Sequence, residues 1–409
     1  MNKKAIAILG AIFILIVGTL GFLVYSRFGG KSSTTPPAQT QNATTTDNTA
    51  QTNNTDNTGN NGGDTGNTGN TGNTGGSQST TTPIVPDNGS VVYRLSDEPV
   101  FNPIIFYNGT AISYFNRDGE VYQAGIKSDG SPLQLNEKVK LDMPIKTRIS
   151  RVIWPSQGND YIAEIIEGSK KYFSYFNAQT KTYTDYPDQV ISVGWLPSAD
   201  KVMYIWLDKG KATLNISDPD TKNWKEVAEM WEQDDQLEIA PNGQSIAYYE
   251  ASNIGPKNAI NLVTPDGKVW QGLVKDGYNF GVLWSPDSKK FLFNKKDSLT
   301  QKYQLWVYSL ENSMPTNLGV FTTVAKAVWA KDSKTVFAAV PKQDSPSAES
   351  GNITQDDFYR LDTVSLTNKT YKITNNAVDG ENLFLNPASN KLFFKNAQDG
   401  YLYYLDAGQ

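Results

Sequence analysis

The side chains able to do chemistry in this chain are carboxylates, lysines, tyrosines, serines and a few arginines, because neither cysteine nor histidine occurs. No disulfide, thiolate nucleophile, Cys/His zinc site, Ser-His-Asp triad or imidazole base can be assembled from it. A pair of carboxylates flanking a glycosidic bond needs no histidine, so a glycoside-active enzyme remains compatible with the composition. Asp218-Pro219-Asp220 and Asp234-Asp235 lack the alternating oxygens and the glycine of a calcium loop, so no metal and no cofactor is assigned. A net charge of −5 and a pI near 5.1 oppose binding by phosphate neutralisation, and no nucleic-acid partner is expected. The most informative single carboxylate is Glu238, for a reason that lies in the elements around it.

Those elements repeat. After residue 90 the chain changes character, and all but four of its 47 aromatic residues lie in short alternating runs separated by Gly, Pro, Asn and Asp. That is a strand pattern. An apolar triplet often ending in Trp is followed by a tight polar turn and a second apolar run. Examples are Val152-Ile153-Trp154-Pro155-Ser156 before Tyr161-Ile162-Ala163, and Ala327-Val328-Trp329-Ala330-Lys331-Asp332 before Val336-Phe337-Ala338. The Trp-equivalent positions are 106, 154, 195, 239, 284, 329 and 385, at spacings of 48, 41, 44, 45, 45 and 56 residues. A period of ~40–50 residues with about four strands per unit is that of a β-propeller blade. The last repeat offers only three strands, and Val91 to Leu95 ahead of the first repeat is an orphan that can complete it. The expected fold is therefore an all-β, seven-bladed β-propeller over residues 90–409, with six or eight blades as the neighbouring alternatives.

This register explains Glu238. Its equivalents are Ile105, Ile153, Gly194, Leu283, Val328 and Phe384, so one charge replaces an apolar or small residue on an innermost strand. Contact with a cation or polar ligand in the central channel and a merely solvated channel charge are both open readings. Asn108, Asp200, Asn242, Asp287, Asp332 and Asn390 recur at the tip of the first hairpin and are read as turn formers, not as catalytic groups. Trp154, Trp195, Trp284 and Trp329 recur in phase and are read as inter-blade core. Trp206, Trp224, Trp231, Trp270 and Trp306 fall out of phase and are less constrained.

The phrase Trp284-Ser285-Pro286-Asp287-Ser288-Lys289-Lys290-Phe291-Leu292-Phe293 resembles the W-SPDGKKIAF pattern of TolB-like, WD40-like propeller repeats. The resemblance spans residues ~90–409 by the repeat count, with one strong copy and several weak ones. It implies the propeller fold and little about function, since related propellers serve as periplasmic binding proteins, scaffolds or gates on hydrolases. The Gly-His and Trp-Asp hallmarks of WD repeats proper are absent. The nearest approach to a sialidase Asp-box, Thr264-Pro265-Asp266-Gly267-Lys268-Val269-Trp270, has its glycine beside the aspartate and is not repeated.

Upstream of the repeats, residues 1–4 are read as a cytoplasmic N-terminus. Residues 5–25 form an uncharged apolar run, long enough as a helix to cross ~30 Å of hydrocarbon. A cleaved signal peptide is the alternative, its apolar region normally spanning only ~7–15 residues. Residues 26–89 are read as a disordered linker; from Lys31 to Gly89 they hold 17 Thr, 11 Asn and 9 Gly and no aromatic residue. The expected protein is a monomer in the cell membrane, single-pass, with its propeller extracytoplasmic, binding or scaffolding a protein, peptide or cell-envelope polymer. A cell-envelope glycoside-active enzyme using Asp/Glu carboxylates is the rival.

The loops joining second to third strand should all emerge on one face. They are short in blades 1 to 3 and lengthen in blades 4 to 6, to Glu250–Lys257, Lys295–Lys302 and Pro341–Asp356. Long loops are disproportionately functional, although neutral drift also lengthens them. Ser252, Asn253, Lys257, Lys295, Lys296, Asp297, Gln343, Asp344 and Glu349 are accordingly expected to border a partner site, with Glu238 at the channel mouth as the other candidate.

Overall fold

A computed structural model describes residues 92–106, 109–127, 133–230, 235–251, 258–297, 299–348, 351–373 and 377–408. The membrane span and linker expected upstream lie outside the described residues. Among the described residues no helix is long and apolar enough to cross a membrane, and one short 3-10 turn, Val324–Lys326, interrupts an otherwise all-β chain.

Seven antiparallel sheets follow one another along the chain. In the third, Val190–Trp195, Val202–Asp208, Lys211–Ser217 and Lys225–Met230 lie side by side in chain order. The fourth begins with Gln236–Ile239, the fifth with Val282–Trp284, and the sixth with Ala327–Trp329. The seventh runs Gly380–Leu385, Lys391–Asn396, Leu402–Asp406 and then Val92–Arg94. The orphan strand thus closes the ring as the sequence predicts, three residues long where five were expected. Val92 pairs Leu405 and Arg94 pairs Tyr403, and the Leu95 amide donates to the Leu402 carbonyl at 2.7 Å. The first sheet departs from the pattern by carrying a fifth short strand, Val139–Lys140, against Val121–Lys127.

The core lies between blades rather than within one. Seven separate apolar clusters form, one for each blade-to-blade interface, and the closing interface is no exception. There Leu95, Val100, Ile112 and Tyr114 meet Phe393, Leu402 and Tyr404. Each side of a blade alternates outward to a neighbour, so the period-2 pattern buries both faces. Outer strands are short and polar, as in Thr182–Asp185, which blunts the exposed edge of each sheet.

The recurring tryptophans fasten blade to blade. The Trp195 indole N–H donates to the Ile153 carbonyl at 2.9 Å, Trp284 to that of Glu238 at 2.9 Å, and Trp329 to that of Leu283 at 3.1 Å. Each acceptor is the channel-lining residue of the preceding blade, so one side chain fills the interface and pins the neighbouring innermost strand. The hairpin tips add a second tie. The Asn242 amide donates to Ser288 Oγ and the Asp287 amide to Ser333 Oγ, both at 2.9 Å. Asp287 and Asp332 themselves accept from the amides of their own turns, in the structural role expected of them.

Because the last blade borrows its outer strand, removing residues 92–96 is expected to expose an edge and uncover the Leu402–Asp406 strand. The unfolding midpoint, followed by circular dichroism, should fall by at least about 5 °C, the scale of a few kcal/mol in a domain of this size.

Candidate functional site

Two places gather charge where the fold would otherwise bury hydrocarbon. The first is the mouth of the central channel. Ile105, Ile153, Gly194, Leu283, Val328 and Phe384 are each half-buried at the same level of their innermost strands, as channel-lining residues must be. Glu238 occupies this level in blade 4, and Glu238 pairs Ala247 of the next strand. Around it, Arg151, Ser156, Trp195, Pro197 and Pro241 enclose a cavity of about 330 Å³ on the side of the first hairpins. A larger recess of about 570 Å³ continues across the same mouth toward blades 6 and 7.

Although the Glu238 side chain retains some contact with solvent, the surrounding protein is dense and mostly apolar. Burial pushes its carboxyl up to about 7, and Arg151 opposes that rise. The small Gly194 beside it packs closely on blade 4, where a Cβ would stand 3.0 Å from Leu237 Cδ1. Glu238 is thus a titrating group at neutral pH in a largely apolar ring, and binding a cation or a hydrogen-bond donor there would drive off its proton. The raised value has a stability consequence. The folded state holds this proton more tightly than the unfolded chain, so its stabilising contribution is complete below the ordinary carboxylate value and is lost as pH rises toward 7. Glu238→Gln is expected to remove this component. Thermal unfolding between pH 4.5 and 8 should show a smaller decline with pH in the variant than in the parent protein.

The second place was not foreseen from the sequence. Lys326, buried at the start of the sixth blade's innermost strand, points its ammonium at two fully buried carboxylates. Lys326 Nζ donates to Asp356 Oδ2 at 2.7 Å, to Thr354 Oγ1 at 2.9 Å and to Asp379 Oδ1. The remaining acceptors are satisfied as well. The Thr354 hydroxyl donates to Asp356 Oδ1 at 2.7 Å and the Thr354 amide to Asp379 Oδ2 at 2.9 Å, while the Gly380 amide adds a second bond to Asp356 Oδ2 at 2.9 Å. Burial raises the Asp356 carboxyl, opposed by Lys326. This is the one place among the described residues where two fully buried carboxylates converge on a single cation. Both are sealed from solvent and committed to Lys326, leaving no cleft in which a sugar could lie between them.

Thr354 and Asp356 stand at the base of the long blade-6 insertion, while Asp379 immediately precedes the blade-7 strand Gly380–Leu385. The cluster therefore anchors the insertion to the next blade, aided by Gln398, whose amide donates to the Thr354 carbonyl at 3.0 Å. Lys326→Met leaves two buried carboxylates without their cation. The expected loss is about 3–5 kcal/mol, read from denaturant unfolding.

The loop residues singled out from the sequence are only partly brought together. Ser252, Asn253, Lys257 and Glu349 lie outside the described residues. Gln343 and Asp344 are exposed at the turn that opens the blade-6 insertion, closed by the Ser345 amide donating to the Lys342 carbonyl. Lys295 and Lys296 need correction. They belong to the strand Lys290–Lys296, pairing with Gln304 and Tyr303, because the ladder continues beyond the apolar run. Lys296 lies over the Tyr303 ring at 5.4 Å. Asp297 closes the hairpin, accepting from the Thr300 amide at 2.7 Å and the Leu299 amide at 3.1 Å, and these bonds hold its carboxyl below the usual value. The blade-5 loop is therefore shorter and more internally bonded than its sequence suggested.

The fold defines the class, a seven-bladed β-propeller, and comparison with known proteins adds the fold's breadth. No protein-family model matches the chain, and no curated protein matches it. Among solved structures it is similar to oligogalacturonate lyase from Vibrio parahaemolyticus, with a TM-score of 0.54 at 11% identity, covering 80% of this chain and 96% of that one. The propeller domain of Myceliophteria thermophila Cps50 (Swd1) gives a TM-score of 0.52 at 8% identity, covering 77% and 99%. TolB from Acinetobacter baumannii aligns with a TM-score of 0.41 at 14% identity, over 73% and 79%. At these identities the likeness is one of fold alone.

Proposed function

We propose that the chain is a membrane-tethered, extracytoplasmic binding or scaffold module that uses the ring to present a partner surface to a protein, peptide or cell-envelope polymer. The observation that carries this reading is the anchoring of the blade-6 insertion. A loop lengthened by drift has no need of a base fixed by a buried lysine and two buried aspartates, a costly arrangement unless held geometry is useful. Gln343 and Asp344 are exposed at the turn that opens this insertion. The uncharged run of residues 5–25 and the Thr/Asn/Gly-rich stretch after it supply the tether in this reading. The rival enzymatic reading draws no support from Asp356 and Asp379, which are sealed from solvent.

Replacing the three loops of blades 4 to 6 by Asp-Gly turns is expected to leave the unfolding midpoint within a few degrees of the parent. It should abolish recovery of proteins or wall material cross-linked to the parent in intact cells. Equal recovery by the shortened protein would move the surface to the channel mouth. Protease added to intact cells should release the propeller by cutting between residues 31 and 89, and protection until lysis would overturn the orientation.

A further inference from the structure

The third blade carries a cleft that neither the channel nor the long loops account for. Near the axis, Val190 and Tyr204 pack against Ile162, Phe173 and Tyr175 of the second blade, with Trp206 at the margin of this cluster. Farther out, a space of about 520 Å³ opens on this face of the third blade, bordered by Pro187 of the connection leading into it. Strand register decides what lines it. Trp206 pairs Thr213, Asp208 pairs Lys211, and Asn215 pairs both Tyr204 and Glu226, so all seven side chains share one face of the sheet. Trp224, in the turn before the last strand, adds a second indole that is 65% exposed.

The charges select the kind of ligand. Asp208 and Glu226 make no ion pair or side-chain hydrogen bond among the described residues, and neither does Lys211. An anion entering the cleft meets two carboxylates, and a cation meets the lysine. A neutral molecule rich in hydroxyls, each both donor and acceptor, can use all three. At the floor, Asn215 Nδ2 donates to Thr213 Oγ1 at 2.9 Å, while the Thr213 hydroxyl proton has no acceptor among the described residues. The buried Thr213 is thus a donor facing the cleft. Two indoles supply flat apolar surfaces, suited to the C–H faces of sugar rings. The lining runs from Lys211 to Asn215 along the strand Lys211–Ser217, ~14 Å, which accommodates two or three linked sugars rather than one.

We propose that this cleft binds a neutral polysaccharide, its rings stacked on Trp206 and Trp224 and its hydroxyls bonded by Asp208, Lys211, Glu226 and Thr213. The cleft is lined by blade 3 and the connection leading into it, so the proposal stands apart from the partner surface of blades 4 to 6.

The test is a titration of the full-length chain, solubilised in a sugar-free detergent, with cellohexaose, N-acetylchitohexaose and mannohexaose. Hexagalacturonate and hexalysine serve as charged counterparts. At least one neutral hexasaccharide is expected to bind at up to millimolar concentration and to change tryptophan fluorescence. Trp224→Ala should weaken that binding by about tenfold or more, and Glu226→Ala should weaken it measurably. Both residues are exposed, so the unfolding midpoints should be unchanged. Trp270→Ala, an exposed indole outside the cleft, should bind as the parent does, and so should the loop-shortened protein. The proposal is overturned if no neutral hexasaccharide binds, if only a charged oligomer binds, or if Trp224→Ala binds undiminished.

Discussion

A four-stranded blade of this protein has two apolar faces and buries neither until a neighbour packs against each. Stability is consequently a property of the closed ring, and the ring closes through the three-residue ladder between Val92–Arg94 and Leu402–Asp406. Every other interface is made by blades adjacent in the chain. This one joins residues more than 300 apart, at the loop-closure entropy of the whole domain. Once it forms, the seventh interface has the same kind of apolar cluster as the other six. The indole-to-carbonyl bonds from Trp195, Trp284 and Trp329 then fix the innermost strands, and with them the width of the channel.

Variation around that frame is where specific properties arise. Blade 4 has Ile239 in place of the tryptophan and Glu238 in place of an apolar channel residue. The first substitution removes an indole donor toward blade 3, and the second puts an acid in the channel mouth. Trp154 keeps the aromatic bulk, edge-on against Phe106 at 5.3 Å, but its indole N–H is buried without a partner among the described residues. The indole ties therefore join blade 3 to blade 2, blade 5 to blade 4 and blade 6 to blade 5, while the mouth near blades 1 to 4 carries the irregular chemistry.

Blades 6 and 7 replace part of the usual apolar contact by Lys326, Asp356, Asp379 and Thr354. Removing an ammonium and two carboxylates from water is expensive, and the cluster is tolerable because each oxygen meets a donor. Such an arrangement adds direction more than strength. Apolar faces can slide by a fraction of a residue, whereas a lysine held by two carboxylates and a hydroxyl has one position. The base of the blade-6 insertion inherits that position.

Period and phase were legible in the residues themselves: the Trp-equivalent spacings, the alternating runs and the orphan Val91–Leu95 were enough for the ring, its count and its closure. They sufficed because blade packing is periodic, and a periodic demand leaves a periodic record. The same logic placed Glu238 on the channel as the exception to six apolar equivalents, but its high proton affinity depends on which groups surround it in space. Lys295 and Lys296, expected in the loop, belong to the strand because its ladder continues beyond the apolar run. The Lys326 cluster left no pattern at all. Its members occur once, up to 53 residues apart, and become partners only because blades 6 and 7 meet. The out-of-phase Trp206 and Trp224 were visible as unconstrained, yet only strand register set them beside Asp208, Lys211 and Glu226. Repetition along the chain encoded the architecture; charge placement and ligand chemistry were decided by contacts that the ring makes just once.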